Sequence, residues 1–326
     1  MRKSVLTLAA ALSFLSLAAQ ERTVTILDDG WRFAFGNAAD PGRDFGAGTE
    51  YFNYLTKAAS LHNEGPYAMK FDDGAWQEVR IPHDFAAALG YERTASHSHG
   101  YKTVGWRYPE TSAGWYRKVL AVPAEDIGSH LVLRFDGIFR DARVWFNGFY
   151  LGSEPSGYAS QVYDVTDYVN YGGDNLICVR ADASFEEGWF YEGGGIYRDV
   201  WLEKTGQQHV APFGTFVRSE LSAPYGEAVL HIETEVENSA LQEAVCTVDH
   251  VLLDAEGREV AASESEKLSL LSKQTGKSSL ALKVSRPHLW DTGDPYLYKL
   301  VTTVCSGGKV TDRYETTVGI REAVFT

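Results

Sequence analysis

Along most of this chain apolar residues return at every second position, and runs with helical spacing are scarce. Period-two alternation places apolar side chains on one face of an extended strand, so such a chain closes its core by packing sheet on sheet. Residues 115–122 alternate cleanly, and Leu131, Leu133 and Phe135 mark one buried face of the next strand. Ala142, Val144 and Phe146 mark another, ending at Asn147-Gly148, a pair suited to a two-residue hairpin turn. Residues 149–152 return from that turn, 175–182 alternate again, and 196–202 close the set, with shorter strands expected at 31–35 and 77–81. Eight or more antiparallel strands with long loops at one end suggest a jelly-roll sandwich.

Gly206 and Gln207 interrupt the pattern and set a boundary between residues 20–206 and 207–320. Beyond it, strands are expected at about 210–218, 227–238, 242–253, 258–268, 277–284, 298–305 and 310–320. Asp254-Ala255-Glu256-Gly257 and Gly307-Gly308 supply turn chemistry between them. This spacing of short strands fits an immunoglobulin-like sandwich. The expected fold class is therefore all-β, a jelly-roll sandwich followed by an immunoglobulin-like one.

A length of 326 residues allows one large or two ordinary domains. The net charge of −14 argues against nucleic acid or an anionic membrane as partner. Residues 1–19 read as a signal peptide: Arg2 and Lys3 begin it, an apolar run extends from Val5 to Leu17, and Ser16, Ala18 and Ala19 are small residues near a cut. That run is too short and too rich in Ala and Ser for a membrane anchor, so the expected location is exported, periplasmic or extracellular. Of the three cysteines, Cys246 and Cys305 are the pair an oxidising compartment could join, while three separate buried thiols is the favoured reading.

Residues 188–200, GWFYEGGGIYRDV, concentrate the chemistry. Three aromatics run into Glu192, then Gly193, Gly194 and Gly195, then a strand-like run carrying Arg198. Aromatic faces beside a carboxylate suit a sugar, which offers C–H surface on its faces and hydroxyls at its edges; a tight turn feeding a strand is the structural alternative. Arg198 is expected to form a buried ion pair with Asp141 or Asp199. Residues 86–113 form a long polar insertion, and loops of that length are usually functional or disordered. Within it His97 and His99 would share one face of an extended segment, but no third metal ligand accompanies them, and no metal site or cofactor is assigned. The run 101–109 is a candidate lip over a pocket.

Several landmarks in this order resemble the N-terminal half of glycoside hydrolase family 2, particularly its β-galactosidase-like branch. They are DGWRF (29–33), FDDGAWQEVRIPHDF (71–85), GWYRK (114–118), DGIFRDARVWFNG (136–148) and YDVTDYV (163–169). The 188–200 stretch is similar to that family's WYxGxGIYRxV landmark, and HLWDTGDPYLYKL (288–300) and VGIRE (318–322) agree in the second half. The resemblance implies that the first sandwich is a galactose-binding-like domain. It also implies that a (β/α)8 catalytic domain, which needs about 250 residues, follows residues 321–326 in a full-length protein. The chain itself is then expected to be a non-catalytic fragment, and no catalytic residue is assigned. On this resemblance Asp84, Glu192 and Tyr191 are the candidate substrate-binding residues, the two carboxylates accepting hydrogen bonds from hydroxyls of a β-galactoside or related glycoside. Asp84 as a turn residue capping backbone amides is the competing reading, and Trp189 is expected to be structural. A free-standing carbohydrate-binding module, or a subunit docking onto a separately encoded barrel, are the alternative functions.

Overall fold

The computed structural model describes residues 21–46, 65–186, 192–222 and 224–323. The signal-like segment, Trp189 and Tyr191 lie outside the described residues. Among the described residues four antiparallel sheets account for the fold, two in each half of the chain.

In the first half, a six-stranded sheet runs in the order β3 (Gln77–Val79), β2 (Trp31–Phe35), β4 (Ala113–Val122), β9 (Gly173–Asp182), β6 (Ala142–Phe146) and β7 (Phe149–Glu154). Its partner has β1 (Thr23–Ile26), β10 (Val200–Thr205), β5 (His130–Phe135) and β8 (Gln161–Asp164). The inward residues of both sheets form one core, with Trp31, Phe33, Leu133, Phe135, Val144, Phe146, Ile177, Val179 and Val200 at its centre. Burial of that apolar surface is the main driving force for closing the sandwich. Asn147 and Gly148, both at positive φ (50° and 84°), make the β6–β7 hairpin turn expected from the sequence. Behind the six-stranded sheet, Asp44 accepts from Trp115 Nε1 at 2.7 Å, Arg180 Nε at 2.8 Å and the Asn37 amide at 3.1 Å, so a buried charge is fully engaged.

In the second half, β11 (Gln208–Ser222), β12 (Glu227–Asn238) and β16 (Thr275–Ser285) form one sheet. β14 (Glu259–Ala262), β13 (Ala244–Leu253), β17 (Tyr298–Ser306) and β18 (Lys309–Val318) form the other, and β15 (Glu266–Leu270) also pairs with β13. The single strand expected at 258–268 is two. Residues 263–265 leave the ladder because Ser263 takes over the bonding of His250, its Oγ accepting the His250 amide at 3.0 Å and its own amide bonding the His250 carbonyl at 2.9 Å. The fold is all-β, a jelly-roll sandwich followed by an immunoglobulin-like sandwich.

Two further expectations need correction, and the favoured reading of the cysteines as separate thiols agrees with the structure. The strand that closes the jelly roll begins at Val200 and not at 196, because Gly195 is held in an isolated bridge to Phe139. Arg198 does not enter a buried ion pair: it is exposed, its guanidinium 5.2 Å from the Tyr197 ring and donating to the Asp136 carbonyl at 3.3 Å, while Asp141 pairs with Arg140 at 3.1 Å. Cys246 and Cys305 remain thiols. Across the β13–β17 ladder Cys246 faces Ser306 and Cys305 faces Thr247, so period-two alternation turns the two sulfurs to opposite faces of the sheet.

The two sandwiches meet at a polar seam. Arg22 grips Asp312 through Nε and Nη2, both at 3.0 Å, and bonds Glu203 at 2.6 Å, while Asp312 also accepts the Val210 amide at 2.8 Å. Beside it His130 of β5 stacks on His209 of β11.

Candidate functional site

The candidate site of the jelly roll is built where two loops lie antiparallel. The His83 amide bonds the Ile196 carbonyl at 2.7 Å and the Phe85 amide bonds the Gly194 carbonyl at 2.8 Å. Between them Asp84 Oδ1 accepts from three backbone amides: Gly194 at 3.0 Å, Ala86 at 2.9 Å and Ala87 at 3.2 Å. The carboxylate thus caps its own turn and ties that turn to the glycine segment 110 residues later. Two of the glycines are dictated by this arrangement. A Cβ on Gly193 would come within 2.6 Å of Asp84 Oδ2. Gly195 adopts φ +104°, and a Cβ there would strike the Tyr116 hydroxyl.

Beneath the turn, His83 Nδ1 lies 2.9 Å from the Tyr116 hydroxyl, and the Phe33 and Phe85 rings stack at 5.8 Å. Burial pulls the His83 imidazole below its ordinary pKa, opposed by the charge of Asp84, and drives the Tyr116 phenol well above its own. Both groups are therefore uncharged at neutral pH and serve as hydrogen-bonding and packing surface.

Glu192 lies at the inner end of the turn and is 1 % exposed. Its Oε2 is 3.6 Å from Nδ1 of His99, also 1 % exposed. Burial lowers the pKa of His99, with Glu192 and then Glu186 opposing. The structure therefore gathers Asp84 and Glu192 around one glycine turn, as the sequence reading requires, and gives them different settings. Asp84 is half-buried at the rim and Glu192 is enclosed. Tyr191 falls outside the described residues. His97 and His99 do not share a face: His97 is exposed and His99 is packed inside. His99 is the site residue that sequence reasoning missed, since the alternation Ser96-His97-Ser98-His99 carries no sign of which imidazole turns inward.

Residues 25–206 match the model of the glycosyl hydrolases family 2 sugar binding domain, and residues 208–321 match a second model of glycosyl hydrolases family 2. The chain belongs to glycosyl hydrolase family 2. Within that family it is 39 % identical over 252 residues to a β-galactosidase of Bacteroides ovatus, covering 77 % of this chain and 29 % of that protein. It is 27 % identical over 298 residues to a β-glucuronidase of Formosa agariphila, covering 85 % of this chain and 30 % of that one. A crystal structure of a family 2 member from Bacteroides cellulosilyticus superposes with a TM-score of 0.74 at 27 % identity, over 93 % of this chain and 37 % of that one. The family 2 chain thus spans about a third of the length of the relatives it matches. The sugar binding domain of the family coincides with the jelly roll that carries Asp84, Glu192 and the glycine turn.

Proposed function

We propose that this chain is the non-catalytic, sugar-recognising N-terminal part of an exported family 2 glycosidase that acts on terminal β-glycosides, galactosides foremost. The observation that carries this reading is the match of residues 25–206 to the family's sugar binding domain, with the Asp84–Gly194 hydrogen bond joining the two candidate loops inside it. In this role Asp84 accepts sugar hydroxyls at the rim, and Glu192, held by His99, fixes the shape of the turn behind it. Orientation by a few well-placed carboxylates is how a site rejects sugars lacking the right hydroxyl. Exposed Val24 and Ile26 on β1 and exposed Phe213 and Phe216 on β11 support the presence of a further protein surface against this chain, the (β/α)8 barrel of the proposed full-length enzyme. The N-terminal stretch 1–19 serves as its export signal.

The test has two parts. The purified chain, incubated with 4-nitrophenyl β-D-galactopyranoside and the corresponding glucuronide, is expected to release no nitrophenol above background. The gene is expected to continue in frame past the Thr326 codon into a barrel. Turnover by the chain alone, or an immediate native stop codon, contradicts this reading.

A further inference from the structure

The insertion between β3 and β4 folds back on itself into a second concave surface, separate from the Asp84 turn. Tyr91 bridges Lys102, whose ammonium bonds the Leu89 carbonyl at 2.6 Å, and the Glu92 amide bonds the Tyr101 carbonyl at 2.7 Å. Ser112 closes the other side, its hydroxyl accepting the Gly105 amide at 2.9 Å and bonding the Tyr108 carbonyl at 2.6 Å. This bracing leaves an open cleft of about 460 Å³ lined by Ser96, His97, Tyr101, Trp106, Tyr108 and Glu186, within the range of small-ligand sites.

The character of that cleft is specific. Trp106 is 65 % exposed, and the Arg107 guanidinium lies 4.9 Å from its ring centroid on the same wall of the cleft. Tyr101 is 41 % exposed at the same wall, and Tyr91 packs against it with ring centroids 5.7 Å apart. A large exposed indole costs hydration free energy and offers a platform for an apolar ligand face. The edges are polar: an imidazole, hydroxyls, the Glu186 carboxylate and the Arg107 guanidinium. Glu186 reaches this position because residue 105 is glycine, at φ +113°, where a Cβ would come within 2.5 Å of Glu186 Oε1. One flat apolar platform beside both hydrogen-bond acceptors and the Arg107 donor matches a pyranose ring, which has a C–H face and a belt of hydroxyls that both donate and accept.

Resting on the reading that this face of the jelly roll meets sugar, we propose that the Trp106 cleft is a second saccharide subsite, taking a neutral hexopyranose unit by stacking on Trp106 and hydrogen bonding to Glu186 and His97. The cleft is joined to the Asp84 turn through the chain itself. His97 lines the cleft, and two residues later His99 supports Glu192. An oligosaccharide bound across both would have one unit at the rim of the glycine turn and a neighbouring unit on the indole.

Calorimetric titration of the purified chain with methyl β-D-galactopyranoside, lactose and cellobiose tests this, using wild type, Trp106→Ala, Glu186→Gln and Asp84→Asn. The expected result is that a disaccharide binds more tightly than the monosaccharide and that Trp106→Ala weakens it by about tenfold or more. Because Trp106 is exposed, the melting temperature of Trp106→Ala is expected to stay at the wild-type value. Should it fall, Glu186→Gln carries the same expectation of weakened disaccharide binding. Sugar binding that Asp84→Asn abolishes and that Trp106→Ala and Glu186→Gln leave unchanged overturns the subsite while the family reading stands. Absence of binding to every sugar of the panel also overturns it, and the proposed function is then judged independently by the reading frame beyond Thr326.

Discussion

The imidazoles of His130 and His209 stack across the seam between the two sandwiches, with ring centroids 4.2 Å apart and planes within 17° of parallel. Around them stand Asp164, whose Oδ1 is 3.8 Å from His130 Nδ1, and Glu237, whose Oε2 is 3.4 Å from His209 Nε2. Lys273 adds a weaker repulsion. Burial, followed by the neighbouring His209, holds His130 down at about 4, with Asp164 and Glu237 opposing. His250, buried in the second sandwich with its Nε2 2.9 Å from Thr234 Oγ1, is also lowered to about 4 by burial.

Acid should therefore destabilise the fold. An unfolded histidine takes up its proton near pH 6.5, whereas these two resist it until about pH 4 when folded. Between those values the unfolded state binds more protons, so stability is complete above 6.5 and is lost as the pH falls toward 4, by up to about 1.4 kcal/mol per pH unit for each site. Melting temperatures should hold level from pH 7.5 to about 6.5 and fall from there to 4.5, and His130→Asn should flatten that slope. A melting temperature independent of pH over that range would refute the assignment.

The Asp84 carboxylate is expected to matter to the fold as well as to ligand. Asp84→Ala leaves three backbone amides without their acceptor, a loss of about 2 kcal/mol or more in urea unfolding. Gly195→Ala should cost a similar amount, since it adds a Cβ at positive φ against the Tyr116 hydroxyl. Wild-type stability in both variants would show that the glycine turn is not held as described.

Asp44→Ala should be the more damaging change. It removes the Nε partner of the fully buried Arg180 guanidinium, leaving it Asp182 at 3.0 Å from Nη1, and it removes the acceptor of Trp115 Nε1. Breaking a buried pair from one side costs about 3–5 kcal/mol. The same urea titration, with the fluorescence of the buried Trp115 as reporter, measures it.

Thiol titration under denaturing, non-reducing conditions should count three free cysteines. Reductant should leave the melting temperature unchanged, because Cys246 and Cys305 face opposite sides of their sheet. A count of one would contradict that geometry.

The two sandwiches were legible because period-two patterning is a local signal: Leu131, Leu133 and Phe135 point inward from one strand whatever lies around them. The hairpin at Asn147-Gly148 was legible for the same reason, its turn chemistry residing in two adjacent residues. What the sequence concealed depends on partners distant in the chain. That His99 packs inside near Glu192, and that Arg198 lies against Asp136 and Tyr197, depends on residues far along the chain or on backbone placement. The split of the strand at 263–265 depends on Ser263 finding the backbone of His250. The Asp84 side chain caps its own turn, one of its two sequence readings, and also accepts from the Gly194 amide of the glycine turn.

The central claim is that the Asp84–glycine turn meets a sugar, and amide chemical shifts test it most directly. In ¹H–¹⁵N spectra of the chain titrated with millimolar methyl β-D-galactopyranoside, the amides of residues 84–87 and 192–195 should move together and saturate, and Asp84→Asn should abolish the response. Unmoved amides at saturating sugar, or shifts confined to the immunoglobulin-like sandwich, would contradict the account.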